Sequence, residues 1–174
     1  MASIFMKISG LDNIKGAATV EGIKAVKGLF AINNVSWGAA RGVSVDVGNA
    51  NNADKGMVAM SDINISRESD GASPHLTTIL FSPGEEGKTV DIYLTKPARK
   101  GEGVEPYMMF TLEKARISNY SISGSDGGLP GESFSLTYVI MSLVYYTEST
   151  TGEIIKGDTV KYDVSKGKLE SKAK

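Results

Sequence analysis

A few groups of residues have the types and spacing to do chemistry. Ser82-Pro83-Gly84-Glu85-Glu86-Gly87-Lys88-Thr89 ends like a phosphate-binding loop. That motif needs glycine where Ser82 stands, a strand before it and a helix after it. Here the helical pattern comes first and the strand second, and Glu85 and Glu86 would repel phosphate. A polar helix-to-strand turn is the better account. His75 is the only histidine and the chain has no cysteine, so metal clusters and histidine-dependent triads are poorly supplied. It sits near a helix start and reads as a satisfied surface side chain. The carboxylates are scattered, with no pair spaced as acid and base. Asn34-Val35-Ser36, Asn64-Ile65-Ser66 and Asn119-Tyr120-Ser121 match glycosylation acceptors, yet no signal segment precedes them, so they read as chance matches inside strands. No catalytic, cofactor-binding or metal-ligating residue emerges, and an enzyme is not expected.

Bulk composition excludes further classes. Nineteen basic against twenty acidic residues leave a formal charge of −1, which argues against a nucleic-acid binder. The lysine-rich end from Lys161 to Lys174 has a net charge of +3, but only Tyr162 is interleaved with it, so it reads as a solvated tail. No stretch approaches the ~20 apolar residues that span a bilayer, so no membrane insertion is expected. Met1 to Lys7 lacks the charged start and apolar run of a secretory signal. The expectation is synthesis in the cytosol and, if the chain leaves, export without a cleaved signal.

Short alternating segments between glycine-containing turns point to an all-β chain with one short helix. Ile4, Met6 and Ile8 share one strand face, as do Val43, Val45 and Val47, then Ile63 and Ile65, then Val90, Ile92 and Leu94. Ser73 as N-cap and Pro74 at the first helical position open a helix to about Ser82, with Leu76, Ile79 and Leu80 on one face. Between Tyr107 and Gly124 the apolar parity switches twice, which predicts a bulge or bend near Glu113–Arg116. The strand from Ser133 becomes apolar on both faces between Tyr138 and Tyr146, so it needs cover on both sides. The helix could supply part of that cover. A neighbouring subunit is the preferred source, making Val139, Met141, Leu143 and Tyr145 inter-subunit candidates. Gly48 to Asp54 is small and polar and reads as a surface loop, projected as a hairpin by strands at 43–47 and 57–65. Ile154, Ile155, Val160, Tyr162 and Val164 read as a small terminal hairpin. Residues 1–164 are read as one domain, and 165–174 as a flexible Lys-rich tail.

Four stretches together resemble the Hcp family of type VI secretion system tube proteins. They are Ile4 to Gly10, Lys27 to Gly38 with its closing Ser36-Trp37, Ile63 to Leu76, and Ile117 to Gly124 followed by Pro130 to Tyr138. Leu29, Ala31, His75 and Leu143 depart from the residues common in that family. The resemblance implies two packed antiparallel sheets forming a small β-barrel flanked by the helix. It also implies homo-hexameric rings that stack into a tube, work with spike and sheath proteins, carry small effector proteins in the lumen and are expelled from the cell. In the family a loop extension reaches the adjacent ring, which makes Asn49, Asn51, Asn52 and Asp54 candidate inter-ring contacts. No cofactor is implied. The tail-tube subunit of a phage or other contractile injection system and a monomeric β-sandwich binding module remain the competing readings.

Overall fold

The computed structural model describes residues 3–14, 18–20, 23, 27–44, 53–54 and 56–171. The strands in chain order are β1 (Ser3–Ile8), β2 (Phe30–Ile32), β3 (Asn34–Ser36), β4 (Ala39–Ala40), β5 (Val43–Ser44), β6 (Ala53–Asp54), β7 (Ala59–Met60) and β8 (Ile63–Glu68). Helix α1 (Ser73–Phe81) follows. The chain continues through β9 (Lys88–Pro97), β10 (Val104–Ser123), β11 (Gly131–Thr137), β12 (Ile140–Glu148), β13 (Ile154–Asp163) and β14 (Lys168–Leu169).

Every strand pairing is antiparallel. The larger sheet runs β2-β1-β9-β10-β12-β13-β14 and the smaller β10-β11-β8-β3. β10 belongs to both. Its first half pairs with β9 and β12, and its second half pairs with β11. The corner falls where the apolar parity switches. Between Leu112 and Ala115 the register shifts, and Lys114 takes a left-handed φ of 55°. The Val139 amide donates to the Glu113 carbonyl across the corner (3.1 Å). A left-handed residue in one strand of a pair bends that strand and raises its twist.

The chain crosses between the sheets a second time at Asn33, whose amide donates to the Ser66 carbonyl (2.8 Å). Asn33 links β2 to β3, which do not pair with each other. Two packed sheets with two corners result, as expected, and the small barrel they outline is not closed. A closed barrel needs a continuous ladder around its circumference.

The inward face follows from period two. Phe30, Met6, Ile8, Val90, Ile92, Leu112 and Met141 from the larger sheet meet Ile63, Ile65, Phe134, Leu136 and Ile117 from the smaller. Leu76 and Ile79 of α1 join them. On the other face of the larger sheet, Leu29 and Ile23 pack with Phe5 beside Ala18, Val20, Tyr93 and Val104.

The helix begins one residue earlier than expected, with Ala72 and not Ser73 at its N-cap. The reason is a buried polar network. The Ser73 hydroxyl donates to Glu132, which also meets Arg67 Nη1 at 3.4 Å. Arg67 in turn pairs with Asp70 and lies over the Phe30 ring at 5.0 Å. The Asp70 carboxylate accepts the Ala72 amide (2.7 Å) just before the helix, which has no side-chain cap of its own.

The C-terminal segment also differs from expectation. Residues 154–163 form one long strand on β12 and not a hairpin by themselves. β14 then returns onto Tyr162 and Asp163, so regular structure continues to Leu169 where a frayed tail was expected from residue 165. Asp163 explains this. Its buried carboxylate accepts the Ser165 hydroxyl (2.6 Å) and the Lys166 amide (3.1 Å) and so forms the turn.

Candidate assembly surfaces

The outward face of the smaller sheet carries two rows of amides and hydroxyls, with exposed Glu68 beyond them on the same face of β8. Strand register sets Asn34, Ser66, Ser133 and Ser121 in one row and Ser36, Asn64, Ser135 and Asn119 in the next. Ser121 and Ser133 share a hydrogen bond of 2.6 Å, and the Ser135 hydroxyl donates to Asn64 Oδ1 (2.7 Å). Each Asn-x-Ser triplet places its polar residues on this face and sends Val35, Ile65 or Tyr120 inward. The triplets set aside as chance acceptors therefore mark a surface. The signal was in the sequence as period-two polarity on three separate strands.

Of the expected hairpin only the base is described: strands at 43–44, 53–54 and 59–60 stand in place of those expected at 43–47 and 57–65, and residues 45–52 lie outside the described residues. Two short ladders, β4 on β7 and β5 on β6, make up that base. Asp54 lies on β6 opposite Val43, while Asn49, Asn51 and Asn52 lie outside the described residues. Its base is fixed by Trp37, whose indole N–H donates to the Tyr138 hydroxyl (2.8 Å). That hydroxyl donates onward to the Ser61 carbonyl (2.8 Å). The Ser61 amide donates to the Gly38 carbonyl (2.9 Å), and the Gly38 amide to Ser61 Oγ (3.0 Å).

The four β12 candidates separate. Met141 is 2% exposed inside the chain's own core, so its side chain has no surface to offer a neighbour. Leu143 is partly buried against that core, and Val139 is half-buried. Tyr145 is 52% exposed. Cross-strand register explains the gradient. Met141, Leu143 and Tyr145 stand opposite Leu112, Phe110 and Met108 along the inward face. Cover by the smaller sheet runs out towards Tyr145, and Ile155, opposite Thr147, is 50% exposed there too. Helix α1 packs on β10 and does not supply the missing cover.

Charged groups gather at the same end. Glu148 pairs with Lys96 and with Arg99 Nε, the latter at 2.6 Å. The hydrogen bond from Lys96, and then the Arg99 charge, hold its carboxyl below the usual range against the opposing effect of burial. On the outward face of the larger sheet, burial and the nearby Asp91 and Tyr146 raise the Tyr93 phenol to about 12.

Ser82 to Thr89 forms the turn from α1 into β9. Gly87 there has φ +75°, and a Cβ on it would lie 2.8 Å from the Ala115 carbonyl oxygen. The glycine thus serves close packing against the β10 corner. His75 is half-buried on the first turn of α1. Among the described residues no group of three or more His, Asp or Glu could hold a metal ion, and no helix is long and apolar enough to cross a membrane.

Comparison with known proteins agrees with this architecture. The model of the family described as "Type VI secretion system effector, Hcp" matches residues 5–145. No curated protein sequence matches the chain. A solved structure described as a type six secretion system protein superposes with a TM-score of 0.79 at 17% identity, over 98% of this chain and 100% of the other. Hcp1 from Salmonella typhimurium does so at 0.66 and 20% identity, over 97% and 98%. Hcp3 from Pseudomonas aeruginosa, a secreted protein, does so at 0.57 and 17% identity, over 91% and 98%. With most of its length matched by the family model and its two-sheet fold shared, the chain belongs to the Hcp family of type VI secretion system tube proteins.

Proposed function

We propose that this chain forms homo-hexameric rings that stack into the inner tube of a type VI secretion system. One observation carries the ring. The inward face of the larger sheet runs past its cover and leaves Tyr145 and Ile155 about half exposed on β12 and β13. Aromatic and aliphatic side chains of this kind are the usual buried anchors of subunit interfaces. In a cyclic ring each subunit meets its neighbour through two different surfaces, and the contact closes on itself. Val139 and Leu143 border the same contact. The hairpin, through Asn49, Asn51, Asn52 and Asp54, reaches the adjacent ring, where each hydrogen bond adds about 0.5–1.5 kcal/mol net. The Asn and Ser face lines the lumen. Uncharged hydroxyls there would hold an effector weakly enough to release it. The tube meets spike and sheath proteins, leaves the cell without a cleaved signal and plays no catalytic part.

Native mass spectrometry of the purified chain tests the reading. A hexamer is expected, and Tyr145→Asp combined with Ile155→Asp should shift the mass to monomer with unchanged circular dichroism. A wild-type chain that stays monomeric at micromolar concentration would refute it.

A further inference from the structure

We propose that the Tyr138 hydroxyl aims the hairpin, and that the stacking of one ring on the next depends on this bond. The inference rests on the reading of the hairpin as the inter-ring contact and assigns the residue that positions it. β4 and β7 pair with each other and with neither main sheet, and the same holds for β5 and β6. Each ladder joins only two residues of each strand. A two-stranded ribbon this short has little stability by itself, so its direction has to be set where it leaves the body.

Gly38 and Ser61 stand at that exit. The hydrogen bonds between them tie one strand of the hairpin to the other, and neither to the sheets. The Tyr138 hydroxyl supplies the tie to the body by donating to the Ser61 carbonyl (2.8 Å). It accepts the Trp37 indole N–H (2.8 Å) at the same time, so both roles of the phenol are used and its proton points at the carbonyl. Tyr138 can hold this position because the chain beside it is pinned to the β10 corner. The Val139 amide donates to the Glu113 carbonyl (3.1 Å), and the Val139 carbonyl accepts the Val164 amide (2.8 Å). Other contacts reach the same region. Met60 lies against the core, and farther out Met57 rests beside Gly167. Methionine packing is non-directional and adapts to more than one position. Asp62 accepts the Ser118 hydroxyl (3.0 Å), which holds the entry to β8 and not the hairpin strand. The Tyr138 bond meets the hairpin at its exit and has a fixed direction.

Tyr138→Phe removes the hydroxyl and keeps the ring. Ser61 is exposed, so water can take up its carbonyl, and the chain should fold and form hexamers. Stacking should suffer. One hydrogen bond lost per subunit is a factor of ~5, repeated around the ring, so tubes in electron micrographs should need ~10-fold or more protein. Replacing Tyr138 with p-aminophenylalanine, whose amine donates in the hydroxyl's place, should restore them. Hairpin direction can be read separately. The chain has no cysteine, so Val43→Cys on the hairpin and Glu86→Cys on the body, both exposed positions, carry the only two spin labels. With labelled chain diluted into unlabelled, dipolar spectroscopy should give one narrow distance that Tyr138→Phe broadens or displaces. An unchanged distance, or tubes at the wild-type concentration, overturns the proposal and leaves the inter-ring reading standing. Loss of hexamers in Tyr138→Phe places the residue in the ring contact and overturns it as well. If wild-type hexamers never stack, the inter-ring reading itself falls, a result that appears without any substitution.

Discussion

Replacing Glu132 with alanine probes the network that joins the helix to the smaller sheet. The Glu132 side chain is 0% exposed and that of Arg67 is 1% exposed. Alanine would remove the carboxylate that meets Arg67 Nη1 at 3.4 Å and that accepts the Ser73 hydroxyl. Breaking one side of a buried ion pair typically costs about 3–5 kcal/mol, because the remaining charge stays desolvated. Arg67 would keep Asp70, the Ala31 carbonyl and the Phe30 ring, which puts the expected loss near the lower end, about 3 kcal/mol. For a chain of this size each kcal/mol moves Tm by about 2–4 °C, so a fall of about 6–12 °C is expected. Far-ultraviolet circular dichroism melts would read it, at one fixed protomer concentration because assembly itself shifts Tm. The double variant Arg67→Met with Glu132→Leu removes both charges and keeps the volume filled, so it should melt above the single variant. A Glu132→Ala chain melting within about 2 °C of wild type would show that the network contributes little and that the reasoning is wrong.

Two other outcomes follow from described geometry. The Ser165 hydroxyl above all, with the Lys166 amide and ammonium, holds the Asp163 carboxyl at about 2 despite burial. A carboxyl depressed below its unfolded value of about 3.9 contributes stability that is complete above that pH and is lost as pH falls towards about 2. Protection of the Lys166 amide, its exchange relative to an unfolded chain at the same pH, should therefore fall across that window, and Asp163→Ala should leave the amide unprotected at every pH. Gly87→Ala would force a Cβ into a left-handed backbone against the carbonyls of Lys114 and Ala115. A loss of about 2 kcal/mol is expected as a lower urea midpoint with an unchanged slope.

The parts of the fold visible in the sequence were those governed by local periodicity. Ile4, Met6 and Ile8 had to share a face, and the double parity switch after Leu112 located a corner that Lys114 makes with its left-handed φ. Long-range polar partners were invisible. Ser73 looked like a helix cap because nothing local reveals that Glu132, far along the chain, claims its hydroxyl. Asp163 looked like one acid in a lysine-rich tail, yet its acceptor geometry folds the turn into β14. Of the β12 candidates, Tyr145 and Met141 have the same parity, and only the limited reach of the opposing sheet separates an exposed ring from a core methionine. The Asn and Ser face was readable in the triplets, but a covalent-modification motif masked a simpler pattern of polar alternation.

β10 has a mechanical consequence. A strand of twenty residues that serves both sheets leaves no seam along which one sheet could peel from the other. A pull applied to β11 or β8 passes through the same backbone that β9 and β12 grip. Rupture then requires shearing several hydrogen-bonded ladders at once instead of unzipping one. For a subunit loaded along a moving column, the yielding element would be a peripheral one such as β14 or the hairpin, and the two-sheet body would move as one piece.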